Sequence, residues 1–376
     1  MSRKAALLTM FDVTNYGSVL QTFASQTVLD NLGYECDVIN YRFPNEWHFN
    51  KGYIKPKVYR LLISKTLSFL GYKTYWSEFR KTIDRFKFGK LNLTADRFET
   101  LESLENYDWG KYDVVISGSD QVWNPRFMKG DKAFLLSFAP DDIRKISMSS
   151  SFACKTLDPV FRDSYKKYLS RLSAISVRDN NGVDIISSLG IDKPVEVMLD
   201  PTLLLPGEQW RKAMKISDSY DSNYILVYIL NYAFNPAPFI YQAVKELQKR
   251  TGKKVIFTGT VETKYLSGMT NYEIRNGRSV EEFVSMFDNA AMVVTSSFHG
   301  TAFAVNFSRP LIAVIPSDGD DRQSSLLANL GIPHCAVKCD TTLSQLNPDY
   351  DTTVMRTALD SLREKNIAWL QDSLKK

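Results

Sequence analysis

Residues 292–314 read MVVTSSFHGTAFAVNFSRPLIAV, and the fold class follows from this stretch. Residues 292–295 are apolar and uncharged, which is typical of a buried parallel strand. Small and apolar side chains then recur at helical spacing over 300–307, and the proline that follows predicts the end of that helix. Residues 311–314 are apolar again. The pattern therefore predicts a strand, a turn containing His299, a helix and a second strand.

His299 falls where the predicted strand ends and the predicted helix begins. In open α/β sheets, ligands bind at the carboxyl ends of the strands. A helix start also presents unpaired backbone N–H groups and a partial positive charge, which favour an anion. The alternative is structural: Ser296 and Ser297 provide an ordinary helix cap, and the imidazole satisfies the turn. The local pattern leaves both interpretations open.

Length and charge narrow the class of protein. A chain of 376 residues exceeds one typical hydrophobic core, so we expect two domains. Its hydrophobic content of 44% and charged content of 24% are those of an ordinary soluble protein. The net charge of +5 and the pI near 8.8 are only mildly basic. They favour anionic ligands, and we expect no nucleic-acid partner.

Cysteine usage and the N-terminus indicate a reduced, cytoplasmic protein. The four cysteines are sparse, and Cys335 and Cys339 lack a second pair at zinc spacing, so we expect no metal site. The apolar run at the N-terminus stops at Asp12, which is too short for a signal peptide. No segment approaches the length of a transmembrane helix.

Strands and helices alternate along the chain in two successive series. The predicted strands are 5–10, 36–41, 114–117, 146–149, 174–177, 224–230 and 254–258, besides those above. The predicted helices are 16–32, 159–172, 180–189, 236–250, 280–288 and 352–374. The proline-containing run VEVMLDPTLLLP separates the series. We therefore expect an α/β fold of two Rossmann-like domains facing a cleft, at 1–198 and 207–350, followed by a helix at 351–376.

One segment interrupts this alternation, and we expect it to be a helical insertion in the first domain at about 51–105. Over 51–90 it interleaves basic and aromatic side chains, with Glu78 and Asp84 as the opposing acids. This mixture suits an anionic membrane surface or an anionic glycan. The alternative is that the aromatic side chains pack on the first domain while the basic ones remain solvated. The basic residues are Lys51, Lys55, Lys57, Arg60, Lys65, Lys73, Arg80, Lys81, Arg85, Lys87 and Lys90.

Polar residues follow three further predicted strands, so the carboxyl edges of the sheets collect several candidate ligand groups. A glycine beside the first helix start allows close approach of a ligand. For Arg178 and Asp179 the structural alternative is that the two side chains pair with each other. Strand-end loops at one edge favour a shared site over isolated ones. The candidates for the acceptor or the cleft are Asn15, Tyr16, Gly17, Ser119 and Asp179, and those for chemistry are Asp120 and Arg178.

Five segments in this order resemble the polysaccharide pyruvyl transferase family: NYGSVLQTFA, GSDQVWNP, SVRD, LDPTLLL and SSFHGTAFAVNFSRPLIAV. The resemblance spans about 15–314. It implies a GT-B-like fold and transfer of a pyruvyl group from phosphoenolpyruvate to two hydroxyls of a sugar, forming a cyclic ketal in a surface or capsular polysaccharide or its lipid-linked precursor. In the family an Arg-Leu pair precedes the histidine. Here Ser297 and Phe298 occupy those positions, so the arginine expected to hold the donor is missing.

The donor's chemistry indicates what must replace that arginine. Phosphoenolpyruvate carries a carboxylate and a phosphate, which need cations and oriented N–H groups. Protonation of its methylene makes a cationic carbon for a sugar hydroxyl to attack. We expect His299 to serve as the general acid or as a phosphate ligand, and Asp120 to take the hydroxyl proton. No cofactor is expected, since phosphoenolpyruvate is a co-substrate. The predicted donor-binding residues are Arg178, Ser297, Gly300, Arg275, Arg278, Arg309 and Arg322.

Two other functions remain open from the sequence. A nucleotide-sugar glycosyltransferase on the same fold usually holds the ribose with a carboxylate on a helix of the second domain. The sequence from His299 to Arg309 contains no carboxylate, which counts against that function. A non-catalytic glycan-binding protein is the second alternative, and a titratable histidine at a helix start argues mildly against it. The lipid-linked sugars of the family would place the protein in the cytoplasm, peripheral at the inner face of the membrane.

Overall fold

The computed structural model describes residues 3–43, 75–216, 223–317 and 321–375. The chain divides into two compact units. Unit 1 comprises Met1–Pro201 and Asn366–Lys376, and unit 2 comprises Thr202–Lys365.

Unit 1 is built on a parallel sheet of five strands in the order β3-β2-β1-β4-β5. Two further strands, β6 and β7, pair in parallel beside it, and an isolated bridge joins Ile146 of β5 to Ala174. The strands are β1 (Arg3–Leu8), β2 (Tyr34–Tyr41), β3 (Leu93–Phe98), β4 (Val114–Ser117), β5 (Arg144–Ser147), β6 (Ile175–Val177) and β7 (Val195–Val197). Because β1 and β4 are neighbours, the chain reverses its direction of winding between them, and ligands of open α/β sheets bind at such a point.

Helices connect the strands of unit 1, and their starts are capped by side chains. Five side chains accept hydrogen bonds from the first backbone N–H groups of the helix that each precedes. They are Asn15, Thr100, Asn124, Asp158 and Asp179. The helices are α1 (Tyr16–Asn31), α2 (Tyr75–Lys90), α3 (Leu101–Glu105), α4 (Pro125–Met128), α5 (Pro159–Leu169) and α6 (Asn180–Ser188).

Unit 2 repeats the design with six parallel strands in the order β10-β9-β8-β11-β12-β13, which is the strand order of a Rossmann fold. Its strands are β8 (Tyr224–Ile229), β9 (Lys254–Gly259), β10 (Tyr272–Ile274), β11 (Met292–Thr295), β12 (Leu311–Ile315) and β13 (Ala336–Lys338). Its helices are α7 (Pro201–Leu204), α8 (Gly207–Met214), α9 (Phe239–Thr251), α10 (Val280–Asp288), α11 (Phe298–Asn306), α12 (Asp321–Asn329) and α13 (Thr352–Leu374), of which α7 begins and α13 ends with residues of unit 1.

The α/β fold with parallel sheets and two Rossmann-like units is confirmed. The predicted strands and helices occur, with ends that differ from the prediction by at most three residues. One shift concerns the site: α11 begins at Phe298, so His299 lies inside the first turn of the helix.

The predicted insertion at about 51–105 is wrong at its C-terminal end, because β3 is the edge strand of the unit 1 sheet. Half of its sequence LTADRF is exposed, and it has little of the apolar character of a buried strand. Hydrogen bonding to β2 and the burial of Phe98 therefore place this strand. Of the basic residues in this segment, those from Lys51 to Lys73 lie outside the described residues.

The described part of that segment, α2, packs its aromatic side chains on α1. Phe79 contacts Tyr16 with ring centroids 4.9 Å apart, and Phe86 contacts Phe23 at 5.6 Å. Phe79 and Phe86 are both buried, as the packing alternative predicts for this part. Phe88, in contrast, is 59% exposed. Within the stretches that the structure describes, no helix combines the length and apolar character needed to cross a membrane.

An ion cluster fixes α2 to the carboxyl end of β1. Lys87 is buried and donates to Asp12 at 2.7 Å and to Asp84 at 2.8 Å, and Arg42 also pairs with Asp12. Burial alone would raise the pKa of Asp12, but the hydrogen bonds and charges of Arg42 and Lys87 outweigh it and lower that pKa below its ordinary value. The positive charge of Lys87 is therefore neutralised within this cluster.

Candidate functional site

In unit 2, the first turn of α11 holds His299 at the carboxyl end of β11. Ser297 has extended backbone geometry and caps the helix: its Oγ accepts from Gly300 N at 3.4 Å, and its carbonyl accepts from Thr301 N at 2.9 Å. The side chain of Ser297 is therefore already used in capping. His299 is 8% exposed and packs edge-on against the ring of Phe298, with centroids 5.5 Å apart.

Gly300 lets α11 lie against the sheet. A Cβ atom at this position would overlap Thr295 Oγ1 and would come within 3.0 Å of the ring of Tyr228. Thr295 Oγ1 in turn donates to Tyr228 O at 2.7 Å and accepts from Ser297 N at 3.0 Å. Gly300, predicted to bind the donor, thus sets the depth at which the helix start and His299 sit on β11.

The end of β11 is joined to the end of β8, its neighbour at the point where the sheet reverses its winding. Ser296 Oγ donates to Leu230 O at 2.8 Å, and Leu230 N donates to Ser296 Oγ at 3.0 Å. Ligand sites of open α/β sheets lie at such a point. His299 therefore lies at the edge of the unit 2 sheet where open α/β sheets bind ligands.

The predicted arginines of unit 2 do not all lie at this edge. Arg309 precedes β12 at the amino edge of the sheet, where it pairs with Asp288 at 3.2 Å. Asp288 also receives two hydrogen bonds of 2.8 Å from Arg211. Since His299 follows β11 at the carboxyl edge, Arg309 is not placed with it, and this part of the predicted donor set is corrected.

Arg275 and Arg278 follow β10, on the carboxyl side of the sheet. Arg275 turns back to Glu273, with which it makes two hydrogen bonds of 2.6 and 3.0 Å. These bonds, with Lys254 at 2.7 Å, lower the pKa of Glu273 to about 2. Arg278 is more exposed, and its Nη1 lies 3.9 Å from Glu282 Oε1. Arg275 is thus held by a surface carboxylate, whereas Arg278 has a loose pairing.

Arg322 lies in the first turn of α12, which follows β12 at the carboxyl edge. The next residue, Gln323, is buried, and its Nε2 donates to Thr301 Oγ1 at 2.9 Å. Thr301 is two residues beyond His299 in α11. This hydrogen bond joins the first turn of α12, in which Arg322 lies, to the first turn of α11.

In unit 1, Asp120 follows β4 and has a left-handed backbone with φ of 72°, which is uncommon for a residue other than glycine. Its Oδ1 accepts from Gln121 N at 2.9 Å, and its Oδ2 accepts from Ser18 Oγ at 3.1 Å. Thr9 Oγ1 donates to Ser119 O at 2.9 Å and joins the end of β1 to the β4 loop. Asp120 therefore lies at the reversal point of the unit 1 sheet.

Arg178, at the end of β6, is held between two carboxylates. Its Nη1 donates to Asp200 Oδ2 at 2.9 Å and lies 3.7 Å from Asp120 Oδ1. The side chains of Arg178 and Asp200 are 2% and 0% exposed, whereas that of Asp120 is 10% exposed. Asp200 also accepts from Ser119 Oγ at 3.1 Å. The structure thus brings Ser119, Asp120 and Arg178 together.

Asp200 was missed among the predicted site residues. A signal existed, because Asp200 is the aspartate of the LDPTLLL segment that resembles the family. Sequence spacing alone does not show it, since Asp200 lies 22 positions from Arg178 along the chain.

The remaining predicted residues of unit 1 have structural contacts. Asn15 Oδ1 accepts from Gly17 N at 2.7 Å and from Ser18 N at 3.3 Å, so the side chain of Asn15 satisfies these N–H groups of α1. Tyr16 is buried against α2. Asp179 caps α6 through Gly182 N at 3.2 Å and accepts from Ser151 Oγ at 2.6 Å. No group of three or more His, Cys, Asp or Glu side chains suited to a metal ion occurs among the described residues.

A family model described as polysaccharide pyruvyl transferase matches residues 15–318. No curated protein matches the chain.

Solved structures show a related fold at low identity. UDP-GlcNAc 2-epimerase of Methanocaldococcus jannaschii is 14% identical with a TM-score of 0.51, over 96% of this chain and 92% of that one. MnaA of S. aureus, solved with UDP, is 12% identical with a TM-score of 0.52, over 97% of each chain. UGT89C1 of Arabidopsis thaliana, complexed with UDP-L-rhamnose, is 10% identical with a TM-score of 0.50, over 100% of this chain and 99% of that one. These likenesses concern the fold alone.

Proposed function

The chain belongs to the polysaccharide pyruvyl transferase family, and on that premise we propose that it transfers a pyruvyl group from phosphoenolpyruvate to two hydroxyls of a sugar, forming a cyclic ketal. The acceptor is a surface or capsular polysaccharide or its lipid-linked precursor. The observation that carries the proposal is the position of His299 in the first turn of α11, at the carboxyl edge of β11.

Unit 2 supplies the groups that the donor requires. The start of α11 has the partial positive charge that favours an anion, and Arg322 lies on the helix joined to it by the Gln323 hydrogen bond. Arg322 is our choice to replace the arginine missing at Ser297, because a guanidinium matches carboxylate and phosphate oxygens in geometry and charge. Arg278 is the second arginine of this edge.

The reaction uses one proton donor and one proton acceptor. His299 donates a proton to the methylene C3 of phosphoenolpyruvate, and the oxygen of a sugar hydroxyl forms a bond to C2. Asp120 takes the proton of that hydroxyl. The second hydroxyl then bonds to C2 as the bond from C2 to the phosphate oxygen breaks, and its proton leaves with phosphate. Exchange with solvent restores His299 and Asp120, so one hydroxyl proton in effect ends in the methyl group and the other on phosphate.

The rival function is transfer of a sugar from a nucleotide sugar. Similar folds occur in proteins solved with UDP or UDP-L-rhamnose, which keeps this alternative open. Against it, α11 (Phe298–Asn306) contains no carboxylate to hold a ribose.

Calorimetric titration separates the two functions. We expect phosphoenolpyruvate to bind and UDP-N-acetylglucosamine and UDP to give no binding heat, and we expect His299→Ala to weaken the phosphoenolpyruvate signal. Binding of UDP compounds without binding of phosphoenolpyruvate would establish the glycosyltransferase alternative.

A further inference from the structure

The backbone of Asp120 has an uncommon conformation that its neighbours maintain. Its φ of 72° lies in the left-handed region, which residues other than glycine rarely adopt. Asp120 O accepts from Ser151 N at 3.0 Å, and an isolated bridge pairs Asp120 with Ser150 in the loop after β5. Gly118 packs against β1, where an added Cβ would come within 2.8 Å of the Cβ of Thr9. Backbone strain that the surrounding structure maintains is a frequent property of functional sites.

The carboxylate of Asp120 receives hydrogen bonds at both of its oxygens. Oδ1 accepts from Gln121 N at 2.9 Å, within the same loop. Oδ2 accepts from Ser18 Oγ at 3.1 Å, and Ser18 lies 102 positions away along the chain, in the first turn of α1. Donors on two sides restrict the rotation of the carboxylate. Its orientation therefore depends on an element outside its own loop.

Ser18 is itself held by the start of α1. Its N–H donates to Asn15 Oδ1 at 3.3 Å, and its carbonyl accepts from Thr22 Oγ1 at 2.8 Å and from Gln21 Nε2 at 3.0 Å. Ser18 is 5% exposed. Because α1 follows β1, and β1 pairs with β4, the hydrogen bond from Ser18 to Asp120 spans the reversal point of the unit 1 sheet.

Other hydroxyl groups of α1 show what an ordinary helical serine or threonine does. Thr22 Oγ1 donates to Ser18 O, and Ser25 Oγ donates to Gln21 O, each at 2.8 Å and each to the carbonyl four residues earlier. Such bonds satisfy a hydroxyl within its own helix. The hydroxyl of Ser18 instead donates to a side chain of the β4 loop. This difference points to a role at the sheet edge.

We infer that Ser18 is a positioning residue, whose hydroxyl orients the carboxylate of Asp120 for the sugar hydroxyl that gives up its proton. The inference rests on the proposed function, in which Asp120 is the proton acceptor. Ser18 keeps its own proton and donates it in a hydrogen bond to Oδ2, so that other lone pairs of the carboxylate remain for the incoming hydroxyl. The oxygen of that hydroxyl forms its bond to C2 of the pyruvyl group, and its proton passes to Asp120 and then to solvent. Ser18 touches no substrate and acts through Asp120.

Ser18→Ala tests this role in the release of phosphate from phosphoenolpyruvate, with the methyl pyranosides of glucose, galactose and mannose as acceptor probes. We expect kcat to fall about tenfold or more, because a misplacement of about 1 Å at a reacting group can cost on the order of a hundredfold. The KM for phosphoenolpyruvate should change less than about twofold, as for an interaction that serves the transition state. Ser18→Thr keeps a hydroxyl and should stay within about threefold of the parent.

Ser25→Ala is the matched control, since it removes a buried hydroxyl of the same helix that bonds within that helix. It should retain the parent kcat. A purely structural role of Ser18 would reduce the number of folded sites, counted by calorimetric titration, and leave kcat per site intact. That result would overturn the inference, as would a phosphoenolpyruvate KM raised about tenfold with an unchanged kcat.

A double-mutant cycle tests whether Ser18 acts through Asp120. Asp120→Asn removes the proton acceptor and places at this position a residue that tolerates the left-handed backbone. Ser18→Ala added to Asp120→Asn should then lower kcat no further, because residues that act together have non-additive effects. A double variant that loses the product of the two single effects overturns the inference.

Crystal structures of the parent and of Ser18→Ala give a readout that does not depend on turnover. We expect the Asp120 carboxylate to rotate away from the start of α1 when the hydroxyl of Ser18 is absent, and an unchanged carboxylate overturns the inference. This result decides the inference even when none of the three pyranosides is an acceptor. Failure of phosphoenolpyruvate to bind, together with a rotated carboxylate, would refute the proposed function and keep the orienting role of Ser18. Binding of phosphoenolpyruvate with an unchanged carboxylate would do the reverse.

Discussion

The carboxyl edges of the two sheets share a strand order at the reversal point but carry different charged groups. Each has a polar residue in the loop or turn after a central strand, Asp120 in unit 1 and His299 in unit 2. In unit 1 the buried Arg178 pairs with Asp200 and lies near Asp120. In unit 2 the histidine lies at a helix start, and Arg322 lies on the next helix. The same strand order thus carries a buried ion cluster in one unit and a histidine at a helix start in the other.

The largest effect that we expect is on the stability of unit 1. Arg178→Ala leaves Asp200 buried without its guanidinium, and breaking a buried ion pair in this way costs about 3–5 kcal/mol. Chemical denaturation should show the loss. Arg97→Ala, which removes an exposed pair with Glu99, is the control and should cost little. Undiminished stability of Arg178→Ala would show that the ion pair with Asp200 does not hold unit 1 together, and a stable Arg178→Ala protein that no longer binds phosphoenolpyruvate would show that Arg178 serves the donor.

The next largest effect is on turnover, through His299 of unit 2. His299→Ala should lower turnover by about a hundredfold or more, the usual loss when a general acid is removed. That loss corresponds to roughly 2.7 kcal/mol in the activation free energy. The melting temperature should be nearly unchanged. His334→Ala removes an exposed histidine of the same unit and should retain turnover. Near-normal turnover by folded His299→Ala would show that the imidazole is structural.

The affinity for phosphoenolpyruvate tests the choice of Arg322 in unit 2. Arg322→Ala should weaken phosphoenolpyruvate binding by about 1.5–3 kcal/mol, the range for a hydrogen bond to a charged group. Arg309→Ala should leave donor affinity unchanged, because Arg309 lies at the amino edge with Asp288. Titration calorimetry on both variants measures the difference. If Arg309→Ala or Arg278→Ala proves to be the variant that loses binding, the choice of Arg322 is wrong.

A smaller effect of about 1–3 kcal/mol is expected at the Asp12 cluster of unit 1, since Asp12→Asn removes one of the two carboxylates, Asp12 and Asp84, that pair with the buried Lys87. The pKa of Asp12 is lowered in the folded protein, so its contribution to stability is complete above its ordinary value of 3.8 and is lost as pH falls through the folded value. Denaturation curves between pH 2 and 6, a range set by these carboxyl values, should be flatter for Asp12→Asn than for the parent. Parallel curves would show that the pairs with Lys87 and Arg42 contribute nothing.

The smallest effect per residue concerns the basic and aromatic segment 51–90. We propose that the segment 51–90 binds anionic membrane surfaces, and Arg80, Lys81 and Arg85 are exposed on its described part together with Phe88. Neutralising Lys55, Lys57 and Arg60 should weaken binding to phosphatidylserine vesicles by about 1 kcal/mol per residue, and salt should weaken it further. Lys249→Gln on unit 2 is the control. Indifference to vesicle charge would favour packing as the whole role of the segment.

The alternation of apolar segments and the junction at 292–314 determined the fold class and placed His299 at the edge of a sheet. These are local properties, since a buried parallel strand needs a continuous apolar run and a helix needs its own start signal. The same reasoning missed β3, whose exposed residues do not show the pattern. Because edge strands form by hydrogen bonding to a neighbour, their sequences carry a weaker signal.

The partners of the charged residues were decided by the tertiary structure. Arg178 and Asp200 are far apart in sequence, and the parallel strands and their loops bring them within 2.9 Å of each other. Arg309 precedes β12 and Arg322 follows it, at opposite edges of one sheet, a difference that the predicted strand at 311–314 already contained. The sequence by itself therefore determined which groups this protein carries at its strand ends. Only the folded chain decided which of them neutralise one another, because ion pairing depends on distance in space and on burial.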